Sequence, residues 1–252
     1  MDNTQYAIID YRMDLECRKN IEKLGIRLIN SYKNENVYEA INGHVDINIF
    51  QLGKNVFVSP ESYEYYREEF MKVGLIDRIN LLKGRKKLDR KYPKDIAYNM
   101  CFTGRYAIGS LENIDITILN FLEETVKFSK VNDKKNNNEI EIIDINQGYA
   151  NCSICQIDEN SVITSDKGIS KELKKKNIDV LEISQGNIDL FDFDYGFIGG
   201  ASASIDDRVC FFGDIIKHPD YSSIKEFVES KNKKILSLSN QKLIDYGGLI
   251  II

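Results

Sequence analysis

The sequence predicts a single α/β domain over residues 1–252, in which five units of the order strand, strand, helix, strand form a closed ring. Three observations support this fold class. The unit recurs along the chain, the segments left over at the two termini complete a fifth copy, and a chain of 252 residues that is 42% apolar can bury one large core.

The first complete unit begins at His44. Apolar residues alternate along 44–50 and 56–60, and a turn containing Gly53 separates these two segments. This pattern is typical of a β-hairpin. The stretch 61–73 that follows is predicted to be a helix.

Three further units repeat this order. They comprise 95–102, 106–110 and a helix through Ile114, Ile118 and Leu122; 148–157, 162–165, a helix over 168–176 and a strand over 180–183; and 197–205, 209–213, a helix opened by Pro219 and a strand over 235–238. Proline suits the first turn of a helix, because the N–H that it lacks has no partner there.

The two chain termini are predicted to share the fifth unit. A strand at 249–252 would join a strand at 6–9, a helix at 15–24 and a strand at 26–29. Pairing of the last strand with the first closes the ring and leaves no unpaired terminal edge. Polar insertions at 84–91 and 131–139 are interpreted as exposed loops, not as domain boundaries.

The composition excludes several classes of partner. The net charge of -5 and the mixing of lysines with acidic residues leave no basic surface for nucleic acid. No apolar run approaches the ~20 residues of a membrane span, and the N-terminus lacks a signal sequence, so we expect a cytoplasmic protein without a membrane partner. Five scattered cysteines are expected to be reduced thiols. The oligomeric state stays open.

Short motifs of glycine, acid, histidine and cysteine recur near the unit boundaries. They are Gly43-His44-x-Asp46, Tyr92-Pro93-x-Asp95, Gly148-Tyr149-x-x-Cys152-Ser153-x-Cys155, Gly199-Gly200-Ala201-Ser202 and Asp245-Tyr246-Gly247-Gly248. With the five units, these motifs resemble the pentein superfamily, a fold of guanidino-group-modifying enzymes and ribosome anti-association factors. Within it the chain is similar to an uncharacterised bacterial group. The resemblance implies a five-bladed α/β propeller.

The resemblance also implies a chemistry and assigns roles to two residues. In the enzymes a cysteine thiolate attacks the guanidinium carbon and a histidine moves the protons, without a metal or other cofactor. His44 and Cys152 match the order of that pair, so Cys152 is the candidate nucleophile and His44 the candidate general acid and base. Such a nucleophile is expected to be a reactive thiol of low pKa.

Acidic residues are the candidates for holding a small cationic substrate. The resemblance points to Asp46, Asp95 and Asp245, with Asn99 beside them. An equally plain interpretation is that these side chains end strands and bond to backbone N–H groups. If His44, Asp46, Asp95 and Cys152 lie on the first strands of their hairpins, their spacing places all of them on one face.

Two departures separate the chain from the enzymes. Their nucleophile lies in the last blade, where this chain has Gly247-Gly248-Leu249, and their acid-Gly-Gly-Asp motif before the histidine is absent. Catalysis would therefore need a shifted order of blades.

Structural interpretations compete with the functional ones. Cys152 and Cys155 are three residues apart, which on a strand sends the two sulfurs to opposite faces and disfavours a metal or redox pair. Both could simply be buried core residues. His218, just before a helix, is interpreted as a loop residue that assists the helix N-terminus. Gly199-Gly200 is interpreted as a site of close backbone packing.

Two functions remain open from the sequence. The first is a cysteine-dependent hydrolase or transferase acting on a small guanidino or amidino compound. The alternative is a non-catalytic pentein that binds a macromolecule or a small molecule, with structural thiols. A shared fold does not decide between them.

Overall fold

A computed structural model describes residues 4–131 and 140–252 of the chain. The loop predicted over 131–139 therefore lies, apart from Val131, outside the described residues. No helix in the described ranges combines the length and the hydropathy needed to cross a membrane.

The described chain contains fifteen strands and seven α-helices. The strands are β1 (Gln5–Ile9), β2 (Ile26–Asn30), β3 (Ile49–Leu52), β4 (Asn55–Val58), β5 (Asn80–Lys83), β6 (Cys101–Phe102), β7 (Tyr106–Gly109), β8 (Glu141–Asp144), β9 (Cys155–Asp158), β10 (Ser161–Thr164), β11 (Asp179–Glu182), β12 (Ser202–Ile205), β13 (Arg208–Phe211), β14 (Lys234–Ser237) and β15 (Leu249–Ile251). The helices are α1 (Leu15–Glu22), α2 (Val45–Asn48), α3 (Tyr63–Lys72), α4 (Ile116–Val131), α5 (Ala150–Ser153), α6 (Lys167–Lys175) and α7 (Tyr221–Ser230).

The strands form five three-stranded sheets of one design. Their strand orders are β15-β1-β2, β3-β4-β5, β6-β7-β8, β9-β10-β11 and β12-β13-β14. In each sheet the first two strands are antiparallel and the third is parallel to the second. A helix makes each parallel connection, as such a crossover requires. The predicted five-bladed α/β propeller is confirmed.

The first and last strands belong to the same sheet. Ile9 of β1 lies opposite Leu249 of β15, and Ala7 lies opposite Ile251, in antiparallel register. This pairing closes the ring through the two ends of the chain, as the sequence predicts.

The crossover helices pack on the sheets through residues four positions apart. Tyr66 and Phe70 of α3 are fully buried in one cluster with Val56 of β4, and Ile224 and Val228 of α7 are buried in another. A spacing of four places two side chains on one face of a helix. Each blade thus buries one helix face against its own sheet.

The first strands of all four predicted hairpins begin later than the sequence predicts, at Ile49, Cys101, Cys155 and Ser202. Asp95 therefore precedes β6 and does not lie on it. Residues 45–48 form helix α2 before β3, and residues 150–153 form helix α5 before β9. Alternation indicates a strand only where one face is exposed, whereas Val45, Asp46 and Ile47 are all buried. Asp46 and Cys152 therefore lie on helical turns, and the strand-parity argument for their direction is wrong.

Candidate active site

Three blades of the ring bring one histidine, one cysteine and one aspartate together. A ring nitrogen of His44, Sγ of Cys152 and a carboxylate oxygen of Asp245 all lie within 4.8 Å of one another, and all three residues are buried. His44 directly precedes α2, Cys152 lies on α5, and Asp245 lies between β14 and β15. The candidate nucleophile and the candidate acid and base thus meet at one place.

Cys152 is a buried thiol in which burial and two carboxylates favour the protonated form, while a hydrogen bond from Asn99 opposes them. Sγ donates to Asp46 Oδ2 at 2.8 Å and accepts from Asn99 Nδ2 at 3.3 Å. Burial, followed by the negative charges of Asp46 and Asp245, raises the pKa of Cys152 well above its usual value. The low thiol pKa expected from the sequence is therefore wrong for the protein without a ligand.

Asp46 is a buried carboxylate with few compensating contacts. Burial raises its pKa to about 6, although hydrogen bonds from Cys152 and Asn151 oppose the shift. Asn151 Nδ2 donates to Oδ2 at 3.1 Å, while Oδ1 has no hydrogen-bond partner among the described residues. Asn151 N in turn donates to Asn99 Oδ1 at 2.8 Å, which fixes the two amides relative to each other.

Burial favours the neutral form of the His44 imidazole. Burial lowers the pKa of His44, and the nearby carboxylate of Asp245 opposes this shift. Nδ1 lies 3.9 Å from Asp245 Oδ1, too far for a hydrogen bond, and neither ring nitrogen has a partner within the described part of the chain. Buried polar atoms are normally satisfied, so the two ring nitrogens of His44 are free to bond a ligand or a water molecule.

Asp245 is held in place by backbone groups. The N–H of Phe197 donates to Oδ2 and that of Gly247 donates to Oδ1, both at 2.9 Å. A Cβ at Gly200 would lie 1.8 Å from Asp245 Oδ1, so only glycine fits there. Gly247, at φ +69, approaches His44 so closely that a Cβ would lie 2.4 Å from the Cβ of His44. Burial raises the pKa of Asp245.

The same contacts explain the Gly199-Gly200 motif. A Cβ at Gly199 would lie 2.2 Å from the carbonyl oxygen of Asn151, beside the candidate nucleophile. Gly200 N donates to the carbonyl of Cys152 at 2.8 Å. The interpretation of this pair as close backbone packing is confirmed.

The remaining candidate residues lie beside this cluster or outside it. Asp95 Oδ2 accepts from the hydroxyl of Tyr149 at 2.5 Å, so it supports an aromatic side chain of the site. Burial raises the pKa of Asp95. His218 Nδ1 accepts the N–H of Asp220 at 3.1 Å, just before α7, as the structural interpretation expects. Cys155 lies in β9, and burial raises its thiol pKa to about 12.

A cavity of about 230 Å³ opens beside the cluster. His44, Cys152 and Asp245 line it together with aromatic residues, which are Tyr38, Tyr149, Phe193, Tyr195 and Phe197. Tyr149 and Phe197 are stacked with ring centroids 6.3 Å apart. A second cavity, of about 240 Å³, is lined by Asp46 and Asn151.

Sequence reasoning missed the aromatic wall and Asn151. Part of the wall had a visible signal, because residues 191–197 read Phe-Asp-Phe-Asp-Tyr-Gly-Phe, and Phe191 and Phe193 are largely exposed. Such a run between two strands is unusual for a connecting loop and is typical of a binding surface. Asn151 had only its position next to Cys152 to identify it.

The cluster also has the donor set of a metal site. An imidazole nitrogen, a thiolate and a carboxylate oxygen are common zinc ligands, and these three approach closely enough to share one ion. A metal bound there would displace the thiol proton of Cys152, which the metal-free surroundings favour.

Solved structures of guanidino-modifying enzymes share this fold. A cysteine-to-serine mutant of DDAH from Pseudomonas aeruginosa in complex with citrulline has a TM-score of 0.54 and 9% identity, over 94% of this chain and 91% of that chain. SxtG, an amidinotransferase from Microseira wollei in the saxitoxin biosynthetic pathway, has a TM-score of 0.52 and 10% identity, over 97% and 93%. A cysteine-to-serine agmatine deiminase from C. jejuni with substrate bound has a TM-score of 0.51 and 13% identity, over 97% and 80%.

These similarities identify the fold as pentein and leave the activity of this chain open. A search of curated proteins finds no match. The profile of a family of unknown function, DUF6873, matches residues 8–250. The chain belongs to this family.

Proposed function

We propose that this protein is a cysteine-dependent hydrolase or transferase that acts on a small guanidino or amidino compound. One observation carries the proposal. A histidine, a cysteine and an aspartate lie within 4.8 Å of one another at the end of a cavity with aromatic walls. Cys152 is the nucleophile and His44 is the general acid and base. The carboxylates of Asp46 and Asp245 favour a cationic ligand. Asp95 contributes through its hydrogen bond to Tyr149.

A cation is the ligand that would activate the thiol. In the free protein the carboxylates of Asp46 and Asp245 disfavour a thiolate on Cys152. A guanidinium or amidinium group bound beside them adds a positive charge at close range, which lowers the pKa of the thiol. Activation would thus depend on the substrate and protect Cys152 from other electrophiles.

The protons balance through His44. Neutral His44 takes the thiol proton, and the imidazolium that forms is stabilised by Asp245, whose Oδ1 lies 3.9 Å from Nδ1. The thiolate then attacks the guanidinium carbon and forms a C–S bond. His44 returns the proton to the leaving nitrogen, which departs as an amine or ammonia.

The second half of the reaction decides between hydrolysis and transfer. Water attacking the adduct carbon gives a hydrolase, while an amine gives an amidinotransferase. In both cases His44 takes the proton of the attacking group and the C–S bond breaks to release Cys152.

Two isosteric alkylating reagents test the proposal. Chloroacetamidine is cationic at neutral pH and chloroacetamide is neutral, and both form a C–S bond with loss of chloride. We expect chloroacetamidine to modify Cys152 at least tenfold faster, located by peptide mass spectrometry. The preference should fall sharply in His44→Ala.

Cys155→Ala provides the matched control. Cys155 is as buried as Cys152 but lies in β9 without the acidic neighbours, so its replacement should leave the preference unchanged. Equal, slow labelling by both reagents would refute the proposal. The non-catalytic alternative, a cation-binding propeller, would be indicated if guanidines slow the labelling of Cys152 and none is consumed.

A further inference from the structure

We infer that the substrate is a small guanidine or amidine whose far end carries no carboxylate or phosphate. This inference rests on the proposed function and narrows it. It comes from the charge, the shape and the size of the cavity that Cys152 and His44 line.

The cavity has acidic groups and no basic ones to meet an anion. Of the described residues that line it, Asp194 and Asp245 are acidic and none is lysine or arginine. Arg12, whose charge is felt at His44, is already bound to Asp10 through two nitrogens and to the carbonyl of Ala40. A carboxylate on the ligand would therefore find no guanidinium or ammonium partner there.

Unpartnered buried atoms mark the end of the cavity where the cation would sit. Neither nitrogen of His44 has a hydrogen-bond partner among the described residues, although the side chain is only 1% exposed. Asp46 Oδ1 and Asp95 Oδ1 are also buried without a partner in the described chain, and each aspartate is hydrogen-bonded through Oδ2 to a residue that lines the cavity, Cys152 or Tyr149. A planar cation with several N–H donors could donate to the unprotonated nitrogen of His44 and lie near these negative charges.

The walls favour a cation with an apolar remainder. Tyr38 and Phe193 pack edge to face with centroids 6.3 Å apart, and Tyr195 packs edge to face on Phe197 at the same distance. Aromatic faces attract cations and apolar groups, whereas a carboxylate beside them loses its hydration without compensation.

Asp194, which lines the cavity, adds a further selection against anionic ligands. Asp194 is exposed where it lines the cavity, and no ion pair involves it within the described residues. At about 230 Å³ the cavity lies below the roughly 300–1,000 Å³ of common ligand pockets, so the far end of a substrate would lie close to this carboxylate. A ligand carboxylate there meets a like charge.

A matched ligand pair tests the inference by binding alone. Cys152→Ala protein is titrated by calorimetry at pH 7.5 with 4-guanidinobutanamide and with 4-guanidinobutyrate, which differ in charge but hardly in size. We expect the amide to bind at least tenfold more tightly. Asp194→Asn should narrow the difference, while Asp192→Asn, an exposed neighbour that does not line the cavity, should not.

The outcomes separate the two proposals. Equal or tighter binding of the carboxylate overturns the inference about the far end and leaves the cationic site intact. Failure of the amide, the carboxylate and butylguanidine to bind overturns both proposals.

Discussion

Replacing Asp46 with asparagine should stabilise the fold at neutral pH, by an amount that depends on pH. Asp46 is buried with no basic residue among its contacts, and it accepts hydrogen bonds from Cys152 and Asn151 through one oxygen. An asparagine oxygen can accept the same two bonds. The substitution therefore removes a buried negative charge while leaving the packing nearly unchanged.

The pKa of Asp46 gives the size and the sign of the effect. Burial raises it from 3.8 to about 6, so the folded state holds a proton that the unfolded state releases between these values. The free energy of unfolding of the wild type thus falls as pH rises through this window, by about 3 kcal/mol in full. The free energy of unfolding of Asp46→Asn, relative to that of the wild type, should therefore rise by about 2 kcal/mol between about pH 4.5 and pH 7.5.

Urea unfolding followed by far-ultraviolet circular dichroism measures this difference, since the chain has no tryptophan. Asp115→Asn is the control, because its charge acts in the opposite direction. Although burial alone would raise the pKa of Asp115, N–H groups of Lys86, Thr117 and Arg85 lower it. Its stabilising effect is complete by about pH 5, roughly one unit above the unfolded-state pKa of 3.8, so the loss of stability in Asp115→Asn should be constant from about pH 5 to pH 8.

The result that refutes this reasoning is a stability difference between wild type and Asp46→Asn that does not change with pH. It would mean that Asp46 is solvated or paired in the folded protein. The electrostatic argument for a cationic ligand would then lose its main support.

Three further predictions concern the same cluster. Chloroacetamide should modify wild-type Cys152 slowly at pH 7.5 and faster only above pH 9, because burial and the charges of Asp46 and Asp245 raise the thiol pKa; a rate already at its plateau at neutral pH would contradict this. Gly200→Ala places a Cβ 1.8 Å from Asp245 Oδ1 and should abolish the preference for chloroacetamidine while the dichroism spectrum is retained; an unchanged preference would show that Asp245 is dispensable. Exhaustive dialysis against a chelator should leave that preference intact, and its loss would indicate that His44, Cys152 and Asp245 hold a metal ion.

The ring could be predicted from the sequence because every blade repeats one local pattern. Turn residues, alternating apolar residues in the strands and apolar residues four positions apart in the helices are all local features of the sequence. The incomplete units at the two termini together make one complete unit. The prediction of strands over 45–48 and 150–153 is wrong because seven of these eight residues are buried, all except Asn151. Without an exposed face, alternation no longer separates a strand from a helical turn.

The residues of the site could be nominated but not placed. Their resemblance to pentein motifs selected Cys152, His44 and Asp245, which the fold brings within 4.8 Å. Nothing local indicated that Tyr38 would face Phe193, since 155 positions separate them and only closure of the ring brings them together. The high thiol pKa was also beyond reach, because it depends on burial and on neighbours from other blades.

Detection of a covalent intermediate would test the proposed chemistry most directly. The wild-type protein is incubated with a panel of small guanidines and amidines, quenched in acid, digested and analysed by mass spectrometry. We expect an adduct on the peptide that contains Cys152, and we expect it to be absent in His44→Ala. The mass of the adduct shows whether the amine or ammonia has left. Unmodified Cys152 and complete recovery of every compound, despite binding to the Cys152→Ala protein, would contradict catalysis and leave a cation-binding propeller.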